Sequence, residues 1–269
     1  MATITISQGT FSGARMLAHA VSQRLGYRCV DRDQVIAKAA QWGVSEQDLH
    51  TAFEKPPSFF GQSQHMKYVY LSFIQAALTE EALHGNIVYD GLGGHLLLGK
   101  GQHVLRTFIT APMEFRVSMV EFRRNCSRKE AIAYVESKDE ERRKWTQFLY
   151  GVNWTDPSLY DLVLNLEQMT LIEACDTVCL LAQSNCFQPT AETQRDLENL
   201  AVASRVKANL AMHQDTSDLQ FEITAEAGRI SIKGAIDTPG QAKKIRSIAE
   251  RIPGVREVGL KELALVNRM

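Results

Sequence analysis

The stretch of sequence that decides the fold is the loop segment Ser7-Gln8-Gly9-Thr10-Phe11-Ser12-Gly13-Ala14-Arg15. A short β-branched run at residues 2–6 precedes it and predicts a strand, and apolar residues at helical spacing follow it over residues 14–25. Gly26 ends the helical pattern, and residues 27–30 predict a second strand that ends at Asp31. The opening of the chain therefore predicts a β-α-β unit with a glycine-containing loop after its first strand.

A loop in this position can bind phosphate, because its backbone N–H groups and the positive end of the helix dipole can point at one anion. Gly9 and Gly13 would let the backbone approach closely, and Arg15 is the nearby cation. The spacing is one residue shorter than in the GxxxxGK[ST] pattern, however, and no lysine follows. The spacing alone leaves two interpretations open, a phosphate site or a tight strand-to-helix turn.

The next part of the chain alternates strands with helices. Strands are predicted at residues 87–89, 104–110 and 162–166, and helices at residues 69–83, 113–124, 128–149 and 168–181. This alternation is typical of a parallel sheet with helices on both faces. The predicted fold class is therefore α/β, with three layers.

The last part of the chain follows another plan. Residues 182–191 show no periodic pattern and predict a linker. Beyond it we predict, in order, a helix at 193–213, strands at 219–224 and 229–236 around an Ala227-Gly228 turn, a helix at 241–252 and a strand at 255–263. This αββαβ order is typical of a small α+β domain. We expect a first domain at residues 1–183, a linker at 184–191 and a second domain at 192–269.

Composition and charge exclude several classes of protein. The 269 residues include 30 basic and 31 acidic side chains, so no overall positive charge is available to bind nucleic acid or an anionic membrane. No apolar run is long enough to span a bilayer, and residues 1–6 do not resemble an export signal. The five cysteines form no CxxC pair and predict reduced thiols rather than disulfides or a metal site. We expect a cytoplasmic protein without a transmembrane segment and without a nucleic-acid partner.

Residues 3–181 resemble the cytidylate kinase-like family of P-loop nucleoside monophosphate kinases. Members open with a strand and an "ISRQ-x-G-S-G-G-x-x-IA" loop, continue through "LA-x-x-LG-x-x-x-x-D-R", and share later motifs. The matching segments here are residues 6–18, Leu25-Gly26, Asp31-Arg32, Ile87-Val88-Tyr89-Asp90-Gly91, residues 108–112 with Arg116, residues 139–143, Trp154 and residues 160–165. The resemblance implies a P-loop fold, ATP and Mg²⁺ as cofactors, and a nucleotide as ligand.

The resemblance also implies a role for particular residues. The loop that would hold the donor phosphates contains Gly9, Ser12, Gly13, Ala14 and Arg15. The acceptor monophosphate site would be lined by Asp31, Arg32, Asp90 and Arg116, with Asp31 also serving catalysis, and Arg142 and Arg143 would belong to a lid that closes over the transferring group. Phosphoryl transfer requires positioning, cations and exclusion of water, which such residues supply.

Each of these residues also has a plainer interpretation. Arg142 and Arg143 lie in a charge run at residues 138–144, which is typical of the solvated face of a helix. Asp31-Arg32 could form an Asx turn and an ion pair after a strand. Arg116 could form a surface ion pair that contributes little.

Several family positions differ in this chain. Gln8 stands where the family has arginine, Phe11 and Ala14 replace loop glycines, and Leu92 replaces the arginine after Gly91. Two expected cations are therefore missing. Phe11 and Ala14 add side chains where the backbone should meet phosphate, and a positive φ is unfavourable for a residue other than glycine. These differences predict weak or lost catalysis with the fold and nucleotide binding retained.

The C-terminal residues 194–263 resemble a BON domain. The matching positions are Val202, Arg205-Val206-Lys207-Ala208, Leu210, Gly228, Ile230, Ile232, Gly234, Ala249, Ile252, Gly254-Val255 and Val258. None of them supplies a nucleophile, a base or a metal cluster. The resemblance implies binding of a phospholipid, another small ligand or a protein partner.

Two functions follow from these observations. The first is an enzyme that transfers the γ-phosphoryl group of ATP to a nucleoside monophosphate, CMP by resemblance, with the BON-like domain as a regulatory or binding module. The second is a nucleotide-sensing pseudokinase whose BON-like domain binds the partner. The missing lysine, Gln8 and Leu92 favour the second function, whereas the retained Arg15, Asp31-Arg32, Arg142 and Arg143 favour the first.

Overall fold

The computed structural model describes residues 2–54, 64–91, 93–99 and 104–266. These residues fall into two compact units, each with its own sheet and hydrophobic core. Unit 1 is drawn from Met1–Gln34, Phe53–Pro56 and His84–Thr190, and unit 2 from Val35–Ala52, Pro57–Leu83 and Ala191–Met269. The units combine segments that are distant in sequence, and the domain boundaries expected above stay a prediction.

Unit 1 is built on a five-stranded sheet in which every neighbouring pair of strands is parallel. The strands are β1 (Thr3–Gln8), β2 (Arg28–Asp31), β3 (Ile87–Asp90), β4 (Val104–Thr110) and β5 (Leu162–Asn165), arranged in the order β2-β3-β1-β4-β5. In the register of the sheet, Ile6 pairs with Asp90, and Asp90 pairs with Asp31. The ends of β2 and β3 therefore lie beside the loop that follows β1.

The described helices, in chain order, are α1 (Ala14–Leu25), α2 (Arg32–Ala39), α3 (Glu46–Glu54), α4 (Gln64–Leu83), α5 (Gly94–Leu97), α6 (Met113–Arg124), α7 (Arg128–Tyr150), α8 (Leu171–Ala182), α9 (Ala191–Met212) and α10 (Pro239–Ala249). Short 3₁₀ segments lie at Ala40–Trp42, Pro157–Leu159 and Asn185–Phe187. Among the described residues, no helix combines the length and the apolar content that crossing a bilayer requires.

Strand β1 is buried on both faces, as expected for a central strand of a parallel sheet. On one face, Ile4 and Ile6 pack with the apolar stripes of α1 and α8 in the main core of unit 1. On the other face, Ser7 contacts His95 of α5, and Phe108, Trp154 and Tyr160 form a smaller aromatic cluster. Packing on both faces holds β1 in place and therefore positions the start of the loop that follows it.

Unit 2 contains the second sheet, formed by β6 (Phe221–Glu226), β7 (Arg229–Ile236) and β8 (Glu257–Leu265). Strands β6 and β7 are antiparallel, and β7 and β8 are parallel. The β6–β7 turn places both Ala227 and Gly228 at positive φ, at 49° and 85°, as a two-residue hairpin turn requires. The core is formed by α9, α10 and the sheet, and includes Val206, Leu210, Phe221, Ile230, Ile232, Ile245 and Val258.

Helix α4 packs against α9 within unit 2. The Nε atom of Arg205 lies 3.2 Å from Oε1 of Glu80, and Nζ of Lys38 lies 2.6 Å from Oε1 of Glu81. Residues between β2 and β3 thus share a compact unit with the αββαβ part of the chain.

The predicted fold class is confirmed: the sheet of unit 1 is parallel with helices, and a separate small α+β part follows. Helices α1 and α6 and strands β4 and β7 have the predicted bounds. Helices α2, α3 and α5 were not predicted. Charged residues interrupt the apolar pattern of α2 and α3, and α5 has only four residues, too few to show a helical period. Helix α4 begins at Gln64 rather than at residue 69.

Candidate functional site

The candidate site lies at the carboxyl ends of the parallel strands of unit 1. Asp31 is the last residue of β2, Asp90 is the last residue of β3, and the loop Gly9–Gly13 follows β1. The sheet extends from β1 to one side through β3 and β2, and to the other side through β4 and β5, so the chain changes direction across the sheet beside β1. Ligands of open α/β sheets bind at the carboxyl edge beside such a change of direction.

The backbone of the loop is compact and has little room for added side chains. A Cβ atom at Gly9 would lie 2.8 Å from Oγ of Ser12, and Gly13 adopts φ 93°, a conformation that favours glycine. Phe11 adopts φ 60°, although it is not a glycine. The sequence comparison with the family placed a glycine at this position, and the positive φ explains why.

Several N–H groups of the loop already have partners within unit 1. Gly9 donates to the carbonyl oxygen of Ile109 at 3.1 Å, and Ser12 donates to the carbonyl oxygen of Gly9 at 3.1 Å. The N–H of Ala14 donates to Oε1 of Gln8 at 3.2 Å. The Thr10 N–H and hydroxyl both donate to Oδ1 of Asp139, at 3.1 Å and 2.7 Å.

Other polar groups of the loop have no partner among the described residues. The Oγ atom of Ser12 is buried and makes no hydrogen bond, and the N–H groups of Phe11 and Gly13 reach no acceptor. Buried polar groups are rarely left unpaired. The unpaired Ser12 hydroxyl therefore points to a polar ligand or water at the loop.

Beside the loop, unit 1 encloses a cavity of about 370 Å³. Five of the residues predicted for the site line it: Arg15, Asp31, Arg32, Asp90 and Arg142. It is also lined by Ile6, Gln8, Asp33, Gly91, Tyr134, Lys138, Glu141 and Trp145. The fold thus brings cations from α1, α2 and α7 to one polar cavity.

Arg142 projects from α7 to the edge of the loop. Its Nη1 atom donates to the carbonyl oxygen of Gln8 at 2.7 Å, and its guanidinium lies 5.8 Å from the centre of the Trp154 ring. Burial lowers the pKa of Arg142, while the nearby Asp139 carboxylate opposes that change. An arginine remains protonated in such a setting, so a fixed positive charge lies in the cavity.

Two carboxylates lie in the same cavity. Asp31 immediately precedes α2. Its Oδ1 accepts from the Gln34 N–H at 2.9 Å, and its Oδ2 lies 3.7 Å from Nη2 of Arg15. Burial raises the pKa of Asp90, and the Arg15 charge opposes the increase. The turn and the ion pair considered for Asp31 are thus both present. The Asp31 carboxylate nevertheless lines the cavity.

Two of the predicted arginines do not line the cavity. Arg143 is exposed, and its Nε and Nη2 atoms each lie 2.6 Å from a carboxylate oxygen of Glu140. Arg116 forms an ion pair with Asp139 and donates from Nε to the Thr10 carbonyl oxygen at 2.8 Å. Neighbouring positions on a helix face different directions, which separates Arg143 from Arg142.

The sequence singled out Arg142, but not the other cavity residues of α7 or the contact of Asp139 with Thr10. Tyr134, Lys138, Glu141, Arg142 and Trp145 follow the spacing of one helical face, which would have grouped them. Asp139 carries no comparable signal, because Thr10 is 129 residues away in sequence.

Leu92 lies outside the described residues. Among the described residues, no three His, Cys, Asp or Glu side chains gather as a metal site would require.

Phe11 provides a test of the loop's conformation. Its ring packs edge-on against Tyr134, with ring centres 6.3 Å apart, and against a core cluster of α6 and α7. A positive φ costs a residue other than glycine about 1–2 kcal/mol. Loss of the ring should destabilise both Phe11→Ala and Phe11→Gly by about 1–3 kcal/mol, and Phe11→Ala more, because alanine retains the backbone strain.

The measurement for this prediction is the free energy of unfolding of both variants in urea. At an ordinary helical or extended position glycine would be the less stable variant. Finding Phe11→Gly less stable than Phe11→Ala would show that position 11 does not need a positive φ.

Comparisons with known proteins agree with this geometry. The model of the cytidylate kinase-like family matches residues 3–168, and the model of the BON domain matches residues 199–267. A cytidylate kinase of Ignicoccus hospitalis is 29% identical over 173 residues, covering 63% of this chain and 92% of that protein. A cytidylate kinase of Methanothrix thermoacetophila is 29% identical over 164 residues, covering 60% of this chain and 87% of that protein.

One solved structure, of an uncharacterized protein from Eubacterium ventriosum, is similar in fold, with a TM-score of 0.55 and 15% sequence identity. The similarity covers 69% of this chain and 100% of that chain. The family match spans the loop, the cavity and all five strands of the parallel sheet. The chain therefore belongs to the cytidylate kinase-like family and carries a BON domain after its kinase-like region.

Proposed function

We propose that the cavity of unit 1 binds a nucleotide and that the protein transfers the γ-phosphoryl group of ATP to a nucleoside monophosphate, CMP in the first instance. The observation that carries this proposal is the set of three arginines, Arg15, Arg32 and Arg142, that line one cavity beside the loop after β1. Arginine guanidinium groups bind phosphate oxygens strongly and with defined geometry. The relatives named cytidylate kinase support CMP as the acceptor to test first.

In the proposed reaction, an acceptor phosphate oxygen forms a bond to the γ-phosphorus of ATP, and the bond from that phosphorus to the β–γ bridging oxygen breaks, releasing ADP. Arg142 and Arg32 would stabilise the charge that spreads over the transferring oxygens. Asp31 would orient the acceptor, and the cavity would limit the access of water.

The loop and the carboxylates fit the cofactors that this reaction uses. The Ser12 hydroxyl and the N–H groups of Phe11 and Gly13, which have no partner among the described residues, are donors suited to phosphate oxygens. Mg²⁺ usually takes one or two protein carboxylates with phosphate oxygens and water, and Asp31 and Asp90 are the carboxylates of β2 and β3 that could take part. When bound, Mg²⁺ neutralises phosphate charge during transfer.

A second candidate function has its own observation. The loop has no lysine, and the N–H groups of Thr10 and Ala14 already donate to side chains of the protein. These contacts favour nucleotide binding without turnover, in which the BON domain would bind a lipid, another small ligand or a protein partner. A groove of unit 2 between the start of α9 and the β6–β7 turn, which includes Arg195, Asn199 and Arg256, is a candidate place for that ligand.

The experiment that tests the proposed function combines binding with turnover. Thermal shifts with ATP, ADP, CMP, dCMP and AMP, with and without Mg²⁺, identify the ligands that bind the folded state. Formation of ADP and the nucleoside diphosphate is then measured with the ligands that bind. Turnover supports the kinase, binding without turnover supports the second candidate, and no nucleotide binding contradicts both.

Arg15→Ala is expected to weaken nucleotide binding by about tenfold to a hundredfold. Arg15 is the cation of α1 that lines the cavity, and a lost charge-assisted contact to phosphate costs about 1.5–3 kcal/mol. The matched control is Arg24→Ala, on the same helix, whose side chain pairs with Asp176. Equal nucleotide affinity of Arg15→Ala and the unaltered protein would remove Arg15 from the phosphate site.

A further inference from the structure

The loop that would hold the donor phosphates already binds an anion of this chain. Oδ1 of Asp139, on α7, accepts from the Thr10 N–H at 3.1 Å and from the Thr10 hydroxyl at 2.7 Å. Both Asp139 and Thr10 lie in unit 1. A backbone N–H together with a hydroxyl is a donor set that phosphate oxygens also use.

A cation completes this contact. The guanidinium of Arg116, on α6, pairs with the other carboxylate oxygen of Asp139, and its Nε donates to the Thr10 carbonyl oxygen at 2.8 Å. The Arg116 side chain is only 12% exposed. The Asp139 carboxylate thus neutralises the charge of the largely buried Arg116 and accepts hydrogen bonds from both donors of Thr10.

We propose that Asp139 is an internal competitor for the donor phosphates, so that a triphosphate must displace its carboxylate to reach Thr10 and Arg116. This inference rests on the proposed function, because it concerns the same loop. Displacement would exchange one anion for another at the same donors. The cost of breaking the Asp139 contacts would be subtracted from the binding free energy of the triphosphate.

The proposal also assigns a role to Arg116. In the structure the Arg116 guanidinium contacts Asp139 and the Thr10 carbonyl oxygen, and it does not line the cavity. Once Asp139 is displaced, Arg116 would pair with a phosphate instead. The Asp139–Arg116 pair therefore keeps a phosphate-binding arginine neutralised until the ligand arrives.

The test uses Asp139→Asn, which keeps the size and one acceptor oxygen of the side chain but removes its charge. Titrations of Mg-ATP and of inorganic tripolyphosphate into the full chain measure the affinity for each ligand. We expect Asp139→Asn to bind both ligands at least fivefold more tightly than the unaltered protein. The matched control is Glu136→Gln, an exposed carboxylate one turn earlier on α7, which should change neither affinity more than twofold.

The two ligands separate failure of the inference from failure of the proposed function. If ATP binds both proteins and Asp139→Asn binds it no more tightly, the inference is wrong while the proposed function stands. If tripolyphosphate binds the variant more tightly but ATP binds neither protein, the inference stands and the proposed function fails. If neither ligand binds either protein, both are overturned.

A second measurement avoids the variant altogether. In the unaltered protein, saturating tripolyphosphate should shift the side-chain carboxyl ¹³C resonance of Asp139, because the carboxylate loses Thr10 and Arg116. It should also change the amide exchange rate of Thr10. An unchanged Asp139 resonance at saturation would overturn the proposal, even if Asp139→Asn did not fold.

Discussion

Arg142→Ala is expected to lower the rate of phosphoryl transfer by about 10²–10³-fold, which is the usual effect of removing one group that stabilises transition-state charge. Arg142 lies in the cavity and donates to the Gln8 carbonyl oxygen at 2.7 Å, so its guanidinium is held beside the loop. Ground-state affinity for the nucleotide should fall much less, because charge on the transferring oxygens develops during the reaction. The measurement is steady-state turnover together with nucleotide affinity.

The next residue in the chain provides the matched control. Arg143 is exposed, pairs with Glu140 and does not line the cavity, so Arg143→Ala should change turnover less than threefold. Equal losses of turnover in Arg142→Ala and Arg143→Ala would contradict the structure, in which only Arg142 of the two lines the cavity. A loss of affinity in Arg142→Ala as large as its loss of turnover would show that Arg142 only holds the substrate.

Lowering the pH from 7 to 4 is expected to remove about 3 kcal/mol of folding free energy through His95 alone. His95 is only 4% exposed. Burial lowers its pKa to about 4, and the charge of Arg106 acts in the same direction while Asp161 opposes it. Nδ1 of His95 lies 3.4 Å from the Ser7 hydroxyl, its ring lies 4.6 Å from the Tyr160 ring, and its Nε2 has no partner among the described residues.

The sign follows from the protons that each state binds. Between the ordinary histidine pKa of about 6.5 and the folded pKa of about 4, the unfolded chain takes up a proton that the folded protein does not. The free energy of unfolding therefore falls as the pH falls through this interval, and the stability from His95 is fully present above it. Urea unfolding at several pH values between 7 and 4 measures this dependence.

His95→Gln isolates the contribution of this residue. Glutamine does not titrate, so the variant should lose about 3 kcal/mol less than the unaltered protein between pH 7 and pH 4, although it starts from a lower stability. The matched control is His19→Gln, which removes an exposed histidine of α1. Parallel pH profiles of His95→Gln and the unaltered protein would show that His95 titrates normally in the folded state.

Much of the fold could be predicted because its signals are local. The bounds of α1 follow from apolar residues at helical spacing and from Gly13 and Gly26, both of which adopt positive φ in the structure. The Ala227-Gly228 turn was placed correctly for the same reason, since neighbouring residues determine a two-residue hairpin turn. Helices α2 and α3 escaped prediction because charged and polar residues obscure their apolar period.

The candidate site was predictable only in part. Asp31 and Asp90 end β2 and β3, so the parallel sheet brings them to one edge once the strands are recognised. The charge run at residues 138–144 gave no means of choosing between Arg142 and Arg143, because that choice depends on which face of α7 packs toward the loop. The departures at Gln8 and Phe11 indicated an altered loop but not the contacts that replace the usual ones.

By itself, the sequence determined the succession of strands and helices, the place of the loop after β1 and the residue types available around it. Hydrophobic periodicity and turn stereochemistry depend on residues that are close in sequence, and they can therefore be recognised in a single sequence. Only the tertiary structure decided that Arg142 enters the cavity, that Arg143 pairs with Glu140, and that Asp139 occupies the donors of Thr10. The contacts of Arg142 with Gln8 and of Asp139 with Thr10 join residues 134 and 129 positions apart, and the packing of whole helices selects them from many alternatives of similar local energy. The Arg143–Glu140 pair is local, but the face of α7 that packs toward the loop decides that Arg143 stays outside the cavity.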